Sequence, residues 1–384
     1  MKILIITENI GKTSPGIVFE RLVYALSLKH DIDLLVADYN PSINLSKLSN
    51  VTSFKKKNIH PRIDRFFLTY FGFNPFDSFW AWKITKAINE TEIVKYDVIL
   101  SFLSFNHYIP LIAGAYLSRK YNKKFAVHAV DAVPAPLGWL NDNKYYAGLW
   151  KMVGNYLSYA DGFFSANLKM LEYQLNGFVS KEELLSDVIY NPTFGTFHYL
   201  PLNNEIGNQF IFTGGIYSVR KADFVIQGFE KLLDIYPNSK LLFIGTREES
   251  LSFKKVKRET VNKIEVIPYT DNLKPYYMNA TALIDIDAAI DNDVFLSGKI
   301  TDYLMVNRVI ISQTGVNSPS RHLFKDIDSI IQCDHDSDQI FEAMKKSIAV
   351  KELVDFNDRN KVIELFKLEN VVEKLNKALE KLVS

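Results

Sequence analysis

Residues 210–232 read FIFTGGIYSVRKADFVIQGFEKL, and this stretch contains one complete strand, turn and helix pattern. The apolar run over 209–213 predicts a buried strand, and Gly214-Gly215 predicts a tight turn. Apolar residues at helical spacing over 222–236 predict the helix that follows. A strand, a short glycine turn and an amphipathic helix open a βαβ unit, whose strands lie parallel in one sheet.

The same alternation continues on both sides of this stretch. Downstream strands are predicted at 240–244, 264–268, 282–286 and 309–312. Upstream strands are predicted at 2–6, 32–37, 98–102 and 125–129, and within 159–166 and 188–190, with a helix at 17–28. The polar, proline-bearing residues 200–207 predict a linker.

We therefore predict two α/β domains, each a Rossmann-like doubly wound sheet, facing each other across a cleft. The predicted domains are 1–199 and 200–364, and the charged helical stretch at about 365–384 is expected to pack back on the first. Ligands of such sheets bind beyond the carboxyl ends of the strands.

Length and composition narrow the class. A chain of 384 residues exceeds what one core usually serves. The 45 Lys+Arg and 44 Asp+Glu nearly cancel, which gives no reason to expect nucleic acid as a partner. The single cysteine, Cys333, excludes an internal disulfide. The apolar run that follows Met1-Lys2 is too short for a signal peptide, and no run of about 18 apolar residues occurs, so we expect a cytoplasmic protein without a membrane span.

Four segments in order resemble the GT-B glycosyltransferases, in particular the retaining group called glycosyltransferase family 4. They are FIFTGGIYSVRKADFVIQGFEKL (210–232), KLLFIGT (240–246), IEVIPYTDNLKPYYMNATALIDID (264–287) and FLSGKITDYLMVNRVIISQTG (295–315). The resemblance implies a nucleotide diphosphate sugar as donor, bound by the second domain. It also implies retention of configuration without an enzymic nucleophile, metal or other cofactor. The implied acceptor is a glycan or lipid-linked molecule, and the implied setting is bacterial surface polysaccharide synthesis.

A diphosphate leaving group requires cations and backbone donors where its charge develops. At the positions that match the family, the donor phosphates are assigned to two groups: Gly215, Arg220 and Lys221 after the first turn, and Ser297, Gly298 and Lys299 before the last helix. The resemblance assigns the ribose hydroxyls to Asp302. The alternative for both groups is an ordinary solvated helix start with a capping residue.

The donor-sugar contacts follow the pattern less closely. The family commonly has two glutamates separated by seven residues, and with Asp302 as the second the first falls on Val294. Asp287, Asp291 and Asp293 are the candidates to replace it. Asp285 and Asp287 also resemble the Asp-x-Asp metal motif of another glycosyltransferase fold. Two residues apart on a strand, they face the same way, and we expect them at the cleft edge without a metal.

In the first domain, His128 ends a predicted strand and Asp131 follows it. The resemblance implies that His128 faces the donor sugar and that Asp131 orients the acceptor. A structural role for a histidine at a strand end is the alternative. Gly11-Lys12-Thr13 is not a P-loop, because Ile6 stands where that motif needs glycine. Gly16 is instead expected to let the backbone approach the donor phosphates.

Residues 55–83 combine basic residues, beginning with Lys55-Lys56-Lys57, with dense aromatic side chains. This composition predicts contact with the anionic inner face of the cell membrane, where a lipid-linked acceptor would lie. Burial in the core, a dimer contact and stacking on sugars are the alternatives. For the whole chain, the alternative functions are a sugar-nucleotide epimerase on the same fold, a sugar-binding protein, and a non-catalytic partner subunit.

Overall fold

The computed structural model describes residues 1–54, 61–88, 90–178, 183–195, 197–201, 207–254 and 256–384. The chain divides into a first unit, Met1–Phe194 with Phe366–Ser384, and a second unit, Gly195–Leu365. The sequence placed these boundaries at 199/200 and 364/365. Most of the predicted linker, 202–206, lies outside the described residues. The residues just before it belong to the second unit, where the His198 backbone N donates to Met305 O at 2.7 Å.

The helices surround two sheets. In chain order they are α1 (Ser14–Ser27), α2 (Pro61–Phe71), α3 (Pro75–Ala87), α4 (Glu90–Ile93), α5 (Ile109–Tyr121), α6 (Asn143–Leu157), α7 (Leu168–Leu175), α8 (Asp223–Leu233), α9 (Arg258–Val261), α10 (Lys274–Asn279), α11 (Gly298–Tyr303), α12 (Pro319–Leu323), α13 (Ser337–Val350), α14 (Asn360–Phe366) and α15 (Leu368–Val383). Short 3₁₀ turns lie at Glu248–Ser250 and Phe356–Arg359.

The first unit is built on a sheet of parallel strands. They are β1 (Lys2–Ile10), β2 (Asp31–Tyr39), β3 (Asn50–Ser53), β4 (Val98–Leu103), β5 (Lys124–Ala129), β6 (Gly162–Ser165) and β7 (Leu185–Val188). The strand order is β3-β2-β1-β4-β5-β6-β7. Helices α1 and α15 cover one face, and α2, α3, α5 and α6 contribute to the core on the other.

Helix α15 reaches the first sheet closely because one strand position lacks a side chain. A Cβ at Gly162 of β6 would lie 2.4 Å from Leu382 Cδ1, so a larger residue would require this leucine to move. Leu379 and Leu375, one and two turns earlier, are buried in the same core. The C-terminal stretch therefore completes the first unit.

The second unit repeats the design with a sheet of six parallel strands. They are β8 (Gln209–Thr213), β9 (Lys240–Ile244), β10 (Ile264–Ile267), β11 (Ala282–Ile286), β12 (Val309–Gln313) and β13 (Ile330–Cys333). The strand order is β10-β9-β8-β11-β12-β13. Helices α8 and α13 pack against each other on one face, where Gly228 lets Ile340 approach.

Both sheets follow the doubly wound order in which the third, second and first strands precede the fourth, fifth and sixth. This confirms the predicted fold class. The prediction missed β3 and β13, and it placed the last strand of the first sheet at 188–190 instead of Leu185–Val188. Strand β3 has four exposed residues, so it carries no apolar run that a pattern search could detect.

Candidate functional site

The second sheet reverses its strand order between β8 and β11. Strand β8 ends at Thr213 and is followed by Gly214, and β11 ends at Ile286 and is followed by Asp287. At such a switch point the loops from neighbouring strands diverge to opposite faces and leave a crevice that binds ligands. Apart from Gly16 and His128, which belong to the first unit, the residues predicted to bind the donor follow these strands or lie in or just before α11.

The turn after β8 requires glycine for two reasons. Gly214 has φ +103°, a conformation that other residues rarely adopt. A Cβ on Gly214 would also lie 2.6 Å from Lys299 Cε. The next residue, Gly215, is half-buried. The turn therefore leaves room for the Lys299 side chain against its backbone.

Lys299 is a half-buried cation at the switch point. Its Nζ lies 4.9 Å from the centroid of the Phe212 ring. The pKa of Lys299 is lowered to about 8, chiefly by burial and also by the charge of Arg220, whereas the charges of Asp285 and Asp287 oppose the shift. A bound anion would favour the charged amine, so the site is suited to an anionic ligand.

Arg220 lies deeper than its position at a helix start suggests. Its guanidinium is buried, donates from Nη1 to the Tyr217 hydroxyl at 3.2 Å, and lies 5.4 Å from the centroid of that ring. Burial tends to lower the pKa of Arg220, but Tyr217, Asp287 and Asp285 outweigh it and the net shift is upward. Arg220 therefore stays charged beneath the site.

Three fully buried carboxyl groups lie near these cations. Ser318 Oγ donates to Asp287 Oδ2 at 2.8 Å, Ser312 Oγ to Asp285 Oδ2 at 3.4 Å, and the Phe295 backbone N to Asp293 Oδ1 at 3.2 Å. Burial raises the pKa of Asp287, as do the charges of Asp285 and Asp293. Within the described residues, Oδ1 of Asp287 has no hydrogen-bond partner. Asp285 lies in β11 and Asp287 directly follows it, and both carboxyl groups are fully buried.

Helix α11 is anchored to β8 by Tyr303. The Thr213 backbone N donates to the Tyr303 hydroxyl at 2.9 Å, and Thr213 Oγ1 lies at the same distance. Ser297 occupies the N-cap position, yet its hydroxyl makes no cap hydrogen bond. Ser297 Oγ is buried and has no partner among the described residues. The capping alternative therefore does not explain this serine.

The other predicted donor residues lie at the surface of the second unit. Asp302, Gly298, Lys221 and Asp291 are exposed, and no atom lies within 4 Å of a Cβ built on Gly298. The structure thus brings Arg220, Lys299, Asp287 and Asp293 into one charged cluster, hereafter the switch-point cluster. Asp302, Gly298, Lys221 and Asp291 are not part of this cluster.

In the first unit, His128 is fully buried in β5. Its Nε2 donates to the Ile189 carbonyl at 3.1 Å, and its ring packs edge-on against Phe102. Burial lowers the pKa of His128 to about 4, although the bond to Ile189 opposes the shift. The histidine is therefore neutral at pH 7, and its catalytic role stays a prediction.

Asp131 is half-buried beyond β5, and its Oδ2 accepts from the Phe105 backbone N at 3.3 Å. Gly16 lies in the first turn of α1, where its N donates to Thr13 Oγ1 at 3.1 Å and its O accepts from Gly11 N at 3.0 Å. A Cβ on Gly16 would lie 2.3 Å from Gly11 O. The glycine is needed to close the loop, and its approach to phosphates stays a prediction.

Sequence reasoning overlooked polar residues at the carboxyl ends of β1 and β4. Glu8 is buried, and its Oε1 accepts from Ile109 N, at the start of α5, at 3.4 Å. The Asn9 side-chain amide lies 3.0 Å from His107 Nδ1. These residues flank the switch point of the first sheet, so the strand order is the signal that would have identified them.

Among the described residues, no three His, Cys, Asp or Glu side chains form a group that could hold a metal ion. Within the same part of the chain, no helix has both the length and the apolar character that crossing a bilayer requires.

A scan of the sequence against protein-family models gave no match, and a search of curated protein sequences gave none. Solved structures do match. Over 99% of each chain, the Anabaena protein Alr3699/HepE in complex with UDP and glucose matches with a TM-score of 0.71 and 11% identity. The lipopolysaccharide outer core galactosyltransferase WaaB matches over 99% of each chain with a TM-score of 0.65 and 13% identity.

The trehalose-6-phosphate synthase OtsA also matches over 99% of each chain, with a TM-score of 0.66 and 10% identity. At such identities the likeness shows the fold. The chain has the two-domain GT-B fold of these glycosyltransferases, as the resemblance in sequence predicted, and the predicted likeness to family 4 is compatible with these neighbours.

Proposed function

We propose that the protein is a glycosyltransferase that moves a sugar from a nucleotide diphosphate sugar to a glycan or lipid-linked acceptor. One observation carries the proposal: Lys299 is a half-buried cation held against an obligatory glycine at the switch point of the second sheet. The fold supports the proposal, since the structural neighbours include a galactosyltransferase and, separately, a protein solved with UDP-glucose.

In this proposal Lys299 donates to the diphosphate and stabilises the charge that develops as the sugar leaves. Arg220 adds positive potential from below and holds Tyr217. Exposed Lys221 and the backbone of Gly215, Ser297 and Gly298 complete the phosphate contacts, and exposed Asp302 accepts from the ribose hydroxyls. These cations and amides take the part that a metal plays elsewhere, so no metal is required.

The transfer breaks the bond between sugar C1 and the diphosphate oxygen and forms a bond from C1 to the acceptor oxygen. The acceptor proton passes to the leaving phosphate. Because the acceptor oxygen attacks C1 directly, no side chain acts as nucleophile. Retention of configuration rests on the resemblance to family 4.

The donor-sugar hydroxyls fall to Asp287, Asp291 and Asp293. Asp287 supports this assignment, because its raised pKa favours a protonated carboxyl that donates a hydrogen bond. We assign His128 to a positioning role, because its buried ring donates to the Ile189 carbonyl. Asp131 is assigned to orienting the acceptor.

A thermal-shift screen with UDP, GDP, ADP and their sugars tests the proposal. Ligand at a hundred times its Kd stabilises the native state by about 2.7 kcal/mol, a shift of roughly 5 °C or more for domains of this size. We expect one diphosphate to stabilise the wild type. Lys299→Ala and Asp302→Ala should reduce the shift, whereas Lys240→Ala, at the opposite end of β9, should not. No shift with any ligand would favour the non-catalytic alternatives.

We further propose that the enzyme acts at the inner face of a bacterial membrane in surface polysaccharide synthesis. Large apolar side chains of α2, α3 and their connection are 39% to 65% exposed, namely Ile63, Phe66, Tyr70, Phe71, Phe73, Phe79 and Trp82. Lys83 lies over the Phe79 and Trp80 rings, and Lys86 over Trp82.

Spacing places these side chains on the outer faces of the two helices. Ile63, Phe66 and Tyr70 share a face of α2, and Phe79, Trp82, Lys83 and Lys86 share a face of α3. Of the two acids in the described residues 61–88, Asp77 is buried and Asp64 half-buried, so the exposed charges are cationic. Lys55-Lys56-Lys57, also part of the predicted surface, lie outside the described residues. Aromatic rings interleaved with cations suit an anionic lipid surface.

Flotation with phosphatidylglycerol-containing vesicles tests this surface. We expect the wild type to float at low salt and less at high salt, because the cations contribute. A Phe66→Ser, Trp82→Ser double variant should remain at the bottom, whereas Tyr199→Ser, which alters an exposed aromatic residue in the second unit, should float normally. Equal flotation of all three proteins would exclude α2 and α3 as the membrane contact.

A further inference from the structure

Tyr269 lies two residues beyond β10, and its side chain is 75% exposed. A large aromatic ring left in solvent at the carboxyl edge of the second sheet has no role in the core. Its hydroxyl donates to Asp271, and the Asn272 backbone N donates to Thr270 Oγ1 at 3.1 Å in the same turn. The turn thus orients the ring while leaving its faces uncovered.

The ring adjoins the glycine at the end of the neighbouring strand. A Cβ built on Gly245, which follows β9, would lie 3.6 Å from Tyr269 Cδ2 and 3.8 Å from Gly214 Cα. Gly214 in turn contacts Lys299. Tyr269, Gly245, Gly214 and Lys299 therefore form a continuous row across the ends of β10, β9 and β8.

The two glycines make this row an open floor. Both have positive φ, +76° at Gly245 and +103° at Gly214, and neither carries a side chain that would rise between the ring and the amine. Backbone bonds hold the floor, from Gly214 N to Ile244 O at 2.7 Å and from Gly245 N to Ile267 O at 2.8 Å. Thr246 Oγ1 also donates to Gly214 O at 2.6 Å.

The length of the row fits a nucleotide. Neighbouring strands lie about 4.8 Å apart, so two steps from β8 to β10 span about 10 Å. An extended nucleoside diphosphate covers a comparable distance from its terminal phosphate to its base. With the diphosphate at Lys299, the base reaches Tyr269.

We propose that Tyr269 is the stacking platform for the base of the nucleotide donor. The inference rests on the proposed donor site and adds the residue that binds the other end of the ligand. Stacking uses the π face that every base presents, so Tyr269 contributes affinity without selecting the base.

Calorimetry with two probes tests the inference: inorganic pyrophosphate, and whichever of UDP, GDP and ADP stabilises the wild type. Removing a stacked aromatic costs about 1–3 kcal/mol, which corresponds to a roughly 5- to 150-fold weaker Kd. We expect Tyr269→Ala to lose this much affinity for the diphosphate and none for pyrophosphate. Tyr269→Phe, which keeps the ring, should bind within about threefold of the wild type. Tyr199→Ala, the exposed aromatic control, should match the wild type.

Three results would overturn the inference and leave the donor site standing, provided the wild type binds the diphosphate. They are normal diphosphate binding by Tyr269→Ala, an equal loss of affinity for pyrophosphate, and a loss of comparable size in the Tyr199→Ala control. A wild type that binds none of the three diphosphates would instead refute the proposed function. Because Tyr269 is largely exposed, the variants should retain the unliganded melting temperature, which serves as the folding control.

Discussion

The affinity for a nucleoside diphosphate should fall as Lys299 loses its proton. The pKa of this amine is lowered to about 8, whereas the terminal phosphate of the ligand titrates near pH 6 and remains ionised above it. If binding requires the charged amine, affinity scales with its protonated fraction. From pH 7 to pH 9 that fraction drops about tenfold for a pKa of about 8. A hydrogen bond to a charged group contributes about 1.5–3 kcal/mol, enough for the whole decrease to be visible.

Calorimetry at pH 7, 8 and 9 measures this slope, with Lys299→Met as the uncharged variant. We expect Lys299→Met to bind about tenfold or more weakly at pH 7 and to show little further loss at pH 9. Lys240→Met, at the amino end of β9, should reproduce the wild-type slope.

Ionisation of Asp287 is the competing explanation for a fall in affinity with pH. Its raised pKa means that it can also gain negative charge over this range, which would repel the diphosphate. Arg220 and Asp285 face the same amine. If Lys299→Met keeps the full wild-type slope and Asp287→Asn removes it, the pH dependence belongs to the carboxyl group and the reasoning about Lys299 is wrong.

The remaining predictions concern stability and the turn. His128 has a folded-state pKa of about 4, below its ordinary 6.5, so the unfolded chain binds more protons at pH 5. This one residue should lower the free energy of unfolding by about 2 kcal/mol between pH 7 and pH 5. Urea titration should show that His128→Leu loses correspondingly less stability than the wild type over this range. Tyr303→Phe leaves Thr213 N unsatisfied and should cost about 1–3 kcal/mol in the same assay; an unchanged midpoint would contradict the anchoring role. Gly214→Ala, strained by its φ and its contact with Lys299, should weaken pyrophosphate binding by calorimetry, and wild-type affinity would disprove the fit.

The fold was predictable because its central strands are short segments dominated by apolar residues. Strands such as β8 and β11 are buried along their whole length, which a pattern of residue types records directly. The boundary after Phe194 was placed five residues late for the opposite reason. The polar, proline-bearing residues 200–207 resemble a linker, but His198 and Leu200 bond to residues more than a hundred positions later in the chain. No local pattern contains such pairings.

The sequence predicted which charged residues to consider for the candidate site, but it did not predict how deeply their side chains are buried. The spacing of Asp285 and Asp287 predicted that they face the same way, and in the structure the charges of both act on Lys299 and Arg220. Their burial near Arg220 depends on which other parts of the chain pack over them. A local sequence pattern does not contain that information. His128 shows the same limit, since a polar residue at a strand end can face solvent or, as here, the Ile189 carbonyl.

The return of α15 to the first sheet has a consequence for synthesis on the ribosome. The second unit is continuous in the chain, and its last residues emerge before α15 does. The first unit must wait, with the apolar surface that Leu375, Leu379 and Leu382 later cover still open. The domain that is translated first is thus the last to complete its core. Its apolar surface stays exposed on the nascent chain while the rest of the protein is synthesised.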